Sequence, residues 1–229
     1  PYEKQINRTN EYLCGAAALG MVYQSFGMSI EQEAIWESIR ETEPSTRSDS
    51  GRFVAKTHQL VRHAVGQDYD ALAVRVRDPE RTLATWTCDD SLRVILNHRT
   101  RMTSPKGHFT VLVGADTTGV VIHDPAEGPS RRLDWEKLVE LWERKPKAGE
   151  ITGRIAVVIS PFDRDIGTSR DSQRCRTCGV PTPHSIRCPR CKLTIPFRPI
   201  AGLGCLSKRC PARCWETIFC PHCDAKALF

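Results

Sequence analysis

Tyr12-Leu13-Cys14-Gly15-Ala16-Ala17-Ala18-Leu19-Gly20-Met21-Val22 puts a cysteine at the head of an alanine-rich run, and its reading decides the fold. Alanine is the best helix former, so a helix is expected from Cys14 or Gly15 to Phe26, with Gly27 as its C-terminal stop. A cysteine in the first turn of a helix lies among unpaired N–H groups that favour a thiolate. On residue type alone, such a cysteine reads equally as a small buried hydrophobe. The rest of the chain has to decide between the two.

A nucleophilic cysteine needs a base to take its proton and a third group to orient that base. His108 opens the β-rich run His108-Phe109-Thr110-Val111-Leu112-Val113 directly after Gly107. Asp116-Thr117-Thr118-Gly119 turns the chain, Val120-Val121-Ile122 returns, and Asp124 follows the returning strand. Neighbours on a strand face opposite ways, so if Asp124 faces the imidazole, His123 faces away and is structural. His58, His63 and His98 show no partner pattern and are read as core or surface residues, and Cys88 as a bystander.

Outward from this centre, Ser29-Ile30-Glu31-Gln32 reads as a capping box opening a second helix with Ile35, Trp36 and Ile39 on one face. A third helix is expected over Val54 to Val65, a strand over Ala71 to Val76, and part of a further helix over Ser91 to Asn97. Asp134 to Arg144 reads as a helix with Leu138 and Leu141 inward, and Arg154 to Ser160 as a final strand. Helices followed by an antiparallel sheet make an α+β domain over residues 1–162. Residues 163–173 are polar and aperiodic, a linker, and residues 174–229 form a separate small module.

Of the eleven cysteines among 229 residues, nine lie beyond residue 170, which sets that tail apart. A disulfide framework would be spread evenly in a secreted chain, and no signal-peptide pattern precedes these cysteines. Pro1 is an uncommon first residue, so a natural start further upstream is expected. Close pairs in such a chain read as zinc ligands in a reducing, cytoplasmic setting. Cys175-x2-Cys178 and Cys188-x2-Cys191 are expected to hold one zinc. Cys220-x2-Cys223 holds a second with Cys205 and Cys210, the runner-up pair being Cys210 with Cys214 and the substitutes His184 and His222. Four thiolates leave no open position for a reacting water, so both ions are expected to be structural, in a C-terminal module over residues 174–229 that resembles tandem zinc ribbons. With only short apolar segments, the tail depends on metal to fold.

The tail carries ten Lys or Arg against three Asp or Glu, while the rest of the chain is nearly balanced. Two tetrathiolate zinc sites, each of net charge about −2, would offset much of this excess and weaken the case for nucleic acid as a partner. Trp215, Phe219 and Phe229 are expected to offer aromatic surface for a protein partner, and Arg187, Arg190, Lys208, Arg209 and Arg213 positive charge. The longest apolar run, Ile155 to Ile159, is too short to cross a membrane. With 40% hydrophobic residues the chain buries a substantial core.

The Cys14 segment resembles the nucleophile helix of the papain-like cysteine peptidases related to bacteriocin-processing domains. Gly107-His108-Phe109-Thr110-Val111-Leu112-Val113-Gly114 is similar to that family's histidine strand. Val121-Ile122-His123-Asp124-Pro125-Ala126-Glu127-Gly128, with the helix at Trp135, is similar to its Asp-Pro turn. The resemblance covers roughly residues 1–160. It implies a papain-like fold, a Cys14–His108–Asp124 triad and cleavage of a peptide or protein substrate, often after a Gly-Gly type leader. It also implies a glutamine six residues before the nucleophile as oxyanion donor. Arg8 stands there instead, leaving Gln5 as the nearest upstream glutamine, Arg8 itself, or a site of reduced turnover. The competing readings are a binding protein on a peptidase fold, and an acyl-transfer enzyme such as a transglutaminase or deamidase. Since the three candidates lie before residue 160, catalysis and metal are expected to be separable by truncation near Ile166.

Overall fold

The computed structural model describes residues 1–9, 11–43, 52–104, 107–143, 153–161, 174–175, 177–181, 185–196 and 205–227. A short hairpin, β1 (Asn7–Arg8) and β2 (Glu11–Tyr12), leads into α1 (Cys14–Ser25) and α2 (Gln32–Ile39). Then come β3 (Arg40–Glu43), β4 (Arg52–Ala55), α3 (Thr57–Gly66), β5 (Tyr69–Val76) and α4 (Pro79–Thr87). The run β6 (Arg93–Arg99), β7 (Gly107–Asp116), β8 (Gly119–Asp124) and β9 (Gly128–Asp134) precedes α5 (Trp135–Trp142) and β10 (Ile155–Pro161). The tail supplies β11 (Ser185–Arg187), β12 (Thr194–Pro196), β13 (Trp215–Phe219) and β14 (Lys226–Ala227).

One eight-stranded sheet, in the order β14-β13-β5-β10-β6-β7-β8-β9, organises the molecule, and all of its pairings are antiparallel. Its central strand β10 is buried on both faces. Ile155, Val157 and Ile159 enter one core with α1, α2 and α3, while Ala156 and Val158 enter the other with Leu83 and Trp86 of α4 and Leu138 and Trp142 of α5. Period-2 alternation on a doubly covered strand produces this split. The sheet therefore presents β6, β7 and β8 to the head of α1.

Three local expectations need correction. Ser91 to Asn97 is strand β6, not helix, because Val94, Ile95 and Leu96 form a short apolar run whose periodicity does not discriminate between the two. Val54 lies in β4, and α3 begins only at Thr57. The second helix begins at Gln32 with no side-chain cap. Gln32 is used elsewhere: its side chain bonds Glu3 Oε1 at 2.6 Å, the Lys4 carbonyl at 3.1 Å and the Ile6 N–H at 2.7 Å, which pins the N-terminal segment. Helix α4, capped by Asp78 and opened by Pro79, carries start signals that the periodic reading passed over.

The tail is also built differently from a detached module. The linker at 163–173 lies outside the described residues, but beyond it β13 pairs with β5, matching Trp215 with Val76 and Phe219 with Ala73. Ile186, Ile195, Trp215, Ile218 and Ala227 are buried in the same core as Leu72, Val74 and Trp86. Trp215 and Phe219 are therefore core residues rather than recognition surface. Arg213 is likewise buried: it stacks 3.8 Å from the Trp215 ring and donates to the carbonyls of Leu206, Trp215 and Glu216. Phe229 lies outside the described residues.

Removing the tail would uncover the β5 edge and a strip of apolar core. Truncation after Ile166 is therefore expected to destabilise the sheet, unlike a cut between independent domains. Trp215→Ala in the full chain should cost about 3–5 kcal/mol, as for deleted core aromatics. Urea unfolding followed by circular dichroism checks both: unchanged midpoints would show that the tail adds nothing to the core.

Candidate active site

Cys14 is the first residue of α1, and its N–H is among those left unpaired by the helix. Its thiol is almost fully buried against β7. Burial alone would push the thiol pKa up. The hydrogen bond and charge of His108, with the backbone N–H groups of Phe109 and Gly15, override burial and lower it.

His108 Nε2 lies 2.7 Å from Asp124 Oδ1, so the ring's Nδ1 is left for the thiol. Burial alone would lower the imidazole pKa. The Asp124 carboxylate and the Cys14 sulfur reverse this and raise it to about 10. Asp124 Oδ1 also accepts from the N–H groups of Ala126 at 2.9 Å and Glu127 at 3.2 Å, while Arg131 reaches Oδ2 at 3.3 Å. Although burial opposes it, this cage holds the carboxylate down to about 2. Both shifts act toward a thiolate beside an imidazolium.

The pleat of β6 places His98 directly across from His108. His98 is buried; its Nδ1–H donates to the Arg99 carbonyl at 2.9 Å and its Nε2 accepts from Thr110 Oγ1 at 3.0 Å. Burial pushes it down to about 4, so it is neutral and does not compete for charge. His123 faces away from the site, stacks edge-on with Tyr2 and accepts the Ser130 N–H.

Arg8 is committed to Glu11 at 3.3 Å and Glu33 at 3.6 Å on the exposed β1–β2 hairpin. Gln5 lies on the segment pinned by Gln32, and its N–H donates to the Pro125 carbonyl at 3.0 Å, beside the Asp124 turn. Among the described residues the Gln5 side chain makes no hydrogen bond. Arg131 escaped the sequence reading, because nothing local marks a basic residue on β9 as a partner for Asp124.

The tail holds two groups of four cysteines, Cys175, Cys178, Cys205 and Cys210, and Cys188, Cys191, Cys220 and Cys223. The knuckles therefore interleave, first with third and second with fourth, which corrects the expected pairing of the first two knuckles. Closest sulfur contacts between pairs are 3.4–3.8 Å. A tetrahedron with 2.3 Å metal–sulfur bonds has edges of about 3.8 Å, so the residues fit a four-coordinate metal.

Three knuckles share one backbone pattern. The first cysteine's N–H donates to the carbonyl five residues on, and its carbonyl accepts the N–H four residues on. That fourth residue takes a left-handed φ in each case: Gly179 at 68°, Lys192 at 64° and Asp224 at 57°. Spacing alone could not pair the knuckles, because pairing depends on which hairpin tips meet. Cys214 and His222 enter neither group, and His184 lies outside the described residues.

Residues 2–145 match the sequence pattern described as the Peptidase C39 family. The fold is similar to a C39-like peptidase from Bacillus anthracis, at TM-score 0.53 and 15% identity, covering 69% of this chain and 93% of that one. The peptidase domain of Streptococcus ComA, a bi-functional ABC transporter involved in quorum sensing, is similar at TM-score 0.47 and 18% identity, covering 69% and 96%. A double glycine motif protease from an AMS/PCAT transporter, solved with its leader peptide, is similar at TM-score 0.47 and 20% identity, covering 70% and 91%. Among proteins of curated function, none matches the chain in sequence. No helix among the described residues is long and apolar enough to cross a membrane.

The His108–Asp124 pair fixes how stability depends on pH. The raised His108 pKa contributes stability that is fully present below the ordinary 6.5 and lost as pH rises through about 10. The depressed Asp124 pKa contributes stability present above its ordinary 3.8 and lost as pH falls toward about 2. Asp124→Asn should therefore move the His108 titration, followed by NMR of labelled imidazole, to lower pH. An unchanged titration would show that the carboxylate does not hold the imidazolium.

Proposed function

We propose that this chain, which belongs to the Peptidase C39 family and is a papain-like cysteine peptidase, hydrolyses peptide bonds through Cys14, His108 and Asp124. The observation that carries this reading is the run of contacts from the Asp124 carboxylate through His108 to a thiol of lowered pKa at the head of α1. The Cys14 sulfur attacks the carbonyl carbon of the scissile bond. The resulting oxyanion is received by the Cys14 N–H and by Gln5, while Arg8 stays in its ion pairs. His108 passes its proton to the leaving amine and then takes one from the water that cleaves the thioester. Asp124 keeps the ring oriented throughout.

Gly15 lets the head of α1 pack closely, since a Cβ there would lie 3.3 Å from Ala55, Leu60 and Phe109. Membership of the family supports a Gly-Gly type cleavage site in a peptide or protein leader. Zinc fits both cysteine groups: four thiolates and an interleaved pair of knuckles would hold two structural ions with no open coordination position. Residues 174–229 keep a distinct role from residues 1–162, positioning a substrate or protein partner while completing the sheet.

Fluorogenic peptides containing Gly-Gly test the chemistry. Cys14→Ala should abolish cleavage, and His108→Ala should lower kcat/KM by roughly 10²–10⁴-fold. Gln5→Ala should lower kcat by about 10²–10³-fold, as for a lost oxyanion donor, while Arg8→Ala changes little. The reverse order for Gln5 and Arg8 would reassign the donor.

Elemental analysis of the purified chain should give two zinc ions. Cys175→Ser and Cys205→Ser should weaken the same one, and Cys214→Ser neither. Independent losses from Cys175→Ser and Cys205→Ser would reject the interleaved pairing.

A further inference from the structure

Beside the nucleophile lies a cleft of about 410 Å³, and its walls come from both ends of the chain. Gly107 and Phe109, which flank His108, form its floor. Ala55, Lys56 and His58 close one side, and Cys223 and Asp224 of the Cys220–Cys223 knuckle close the other. Ala55 and Phe109 also pack against Gly15, the residue after Cys14, so the cleft adjoins the head of α1 and is lined by both chain neighbours of His108. A metal-binding turn is thus a wall of a cleft that adjoins the residues next to Cys14 and His108.

The chemistry of these walls is one-sided. Glu41 is already engaged by Lys56 at 2.8 Å and Gln59 at 3.0 Å. Asp224 is half exposed, and its nearest charged-group contact is His58 Nδ1, at the long distance of 3.9 Å. Burial lowers the His58 pKa, which disfavours its charged form. Asn97 is more than nine-tenths buried beside Gly107, and its Oδ1 has no hydrogen-bond partner among the described residues; nor has His58 Nδ1. The Asn97 amide nitrogen is spent on Thr57 Oγ1 at 3.1 Å, which leaves the acceptor end over. Glu41 and Lys56 are paired with each other, and Asp224 has no Lys or Arg within salt-bridge distance among the described residues. A divalent ion held by Cys188, Cys191, Cys220 and Cys223 would carry a net charge of about −2 next to it.

The knuckle also fixes where this charge points. Asp224 occupies the left-handed position taken by Gly179 and Lys192 in the other two knuckles, and its N–H donates to the Cys220 carbonyl. A carboxylate at that position is carried by the metal-binding turn itself rather than by a flexible loop.

We infer that this cleft is a specificity subsite for a cationic side chain, Lys or Arg, of the peptide substrate close to the scissile bond, with Asp224 on the Cys220–Cys223 knuckle as the residue that selects it. The inference rests on the proposed peptidase reaction at Cys14. The cysteine-rich tail thereby takes part in substrate choice as well as in the fold.

The test uses the full, metal-loaded chain and a positional library of internally quenched peptides, with Lys, Arg, Glu or Leu fixed in turn at each position flanking the cleavage point. One position should favour Lys and Arg over Glu by about fivefold, the effect of a half-exposed ion pair. Asp224→Asn should remove that preference and Asp224→Lys should invert it at the same position, with metal content equal to wild type. A basic preference that Asp224→Lys leaves intact, or no charge preference at any position while peptides are still cleaved, overturns the inference and leaves the peptidase reading standing. Absence of cleavage of every peptide by the wild-type chain, with Cys14 unreactive toward iodoacetamide, would instead remove the peptidase reading on which it rests.

Discussion

The hydrogen bond from His108 Nε2 to Asp124 Oδ1, 2.7 Å long and buried, orders the rest of the site. It determines which ring nitrogen meets Cys14 and reverses the effect of burial on the imidazole. An isolated buried histidine would be neutral, as His98 on the neighbouring strand is. Two histidines face each other across β6 and β7 with opposite charge preferences, because only His108 contacts the Asp124 carboxylate and the Cys14 sulfur. Asp124 in turn is held by the amides of its own turn and by Arg131, so the imidazole is oriented by a rigid group.

The fold exists to bring three distant segments to that point. Helix α1 carries the sulfur, β7 the imidazole and the end of β8 the carboxylate, and the doubly buried strand β10 fixes the sheet beneath them. The tail extends this sheet at its far edge through β13 and also returns to the cleft through the knuckle that follows. Core packing and cleft wall are therefore two consequences of a single chain path from Trp215 to Asp224.

Much of the site was legible in the sequence because its residues sit at element boundaries. A cysteine opening an alanine run, a histidine opening a β-rich run and an aspartate after the return strand stand out as candidates from local pattern, and the family resemblance is what joins them into one expected site. What was not legible depends on contacts between distant segments. Arg131 gains its role only from the register of β9 against β8. The pairing of cysteine knuckles is invisible to spacing, since every C-x2-C pair has the same local geometry. Trp215 and Phe219 read as surface because the tail is poor in apolar residues overall, yet each pairs with a strand from the opposite end of the sequence. Ser91 to Asn97 was misread for a related reason: burial on both faces removes the period that separates strand from helix.

The central claim is that Cys14 is held as a thiolate by His108, and the pH dependence of its alkylation tests this most directly. Iodoacetamide labelling of the full chain, read at Cys14 by peptide mass spectrometry, should already be near its maximal rate well below pH 8.5, the ordinary midpoint of a cysteine thiol. A single rise in rate centred at or above pH 8.5 would show an ordinary buried thiol and contradict the ion pair.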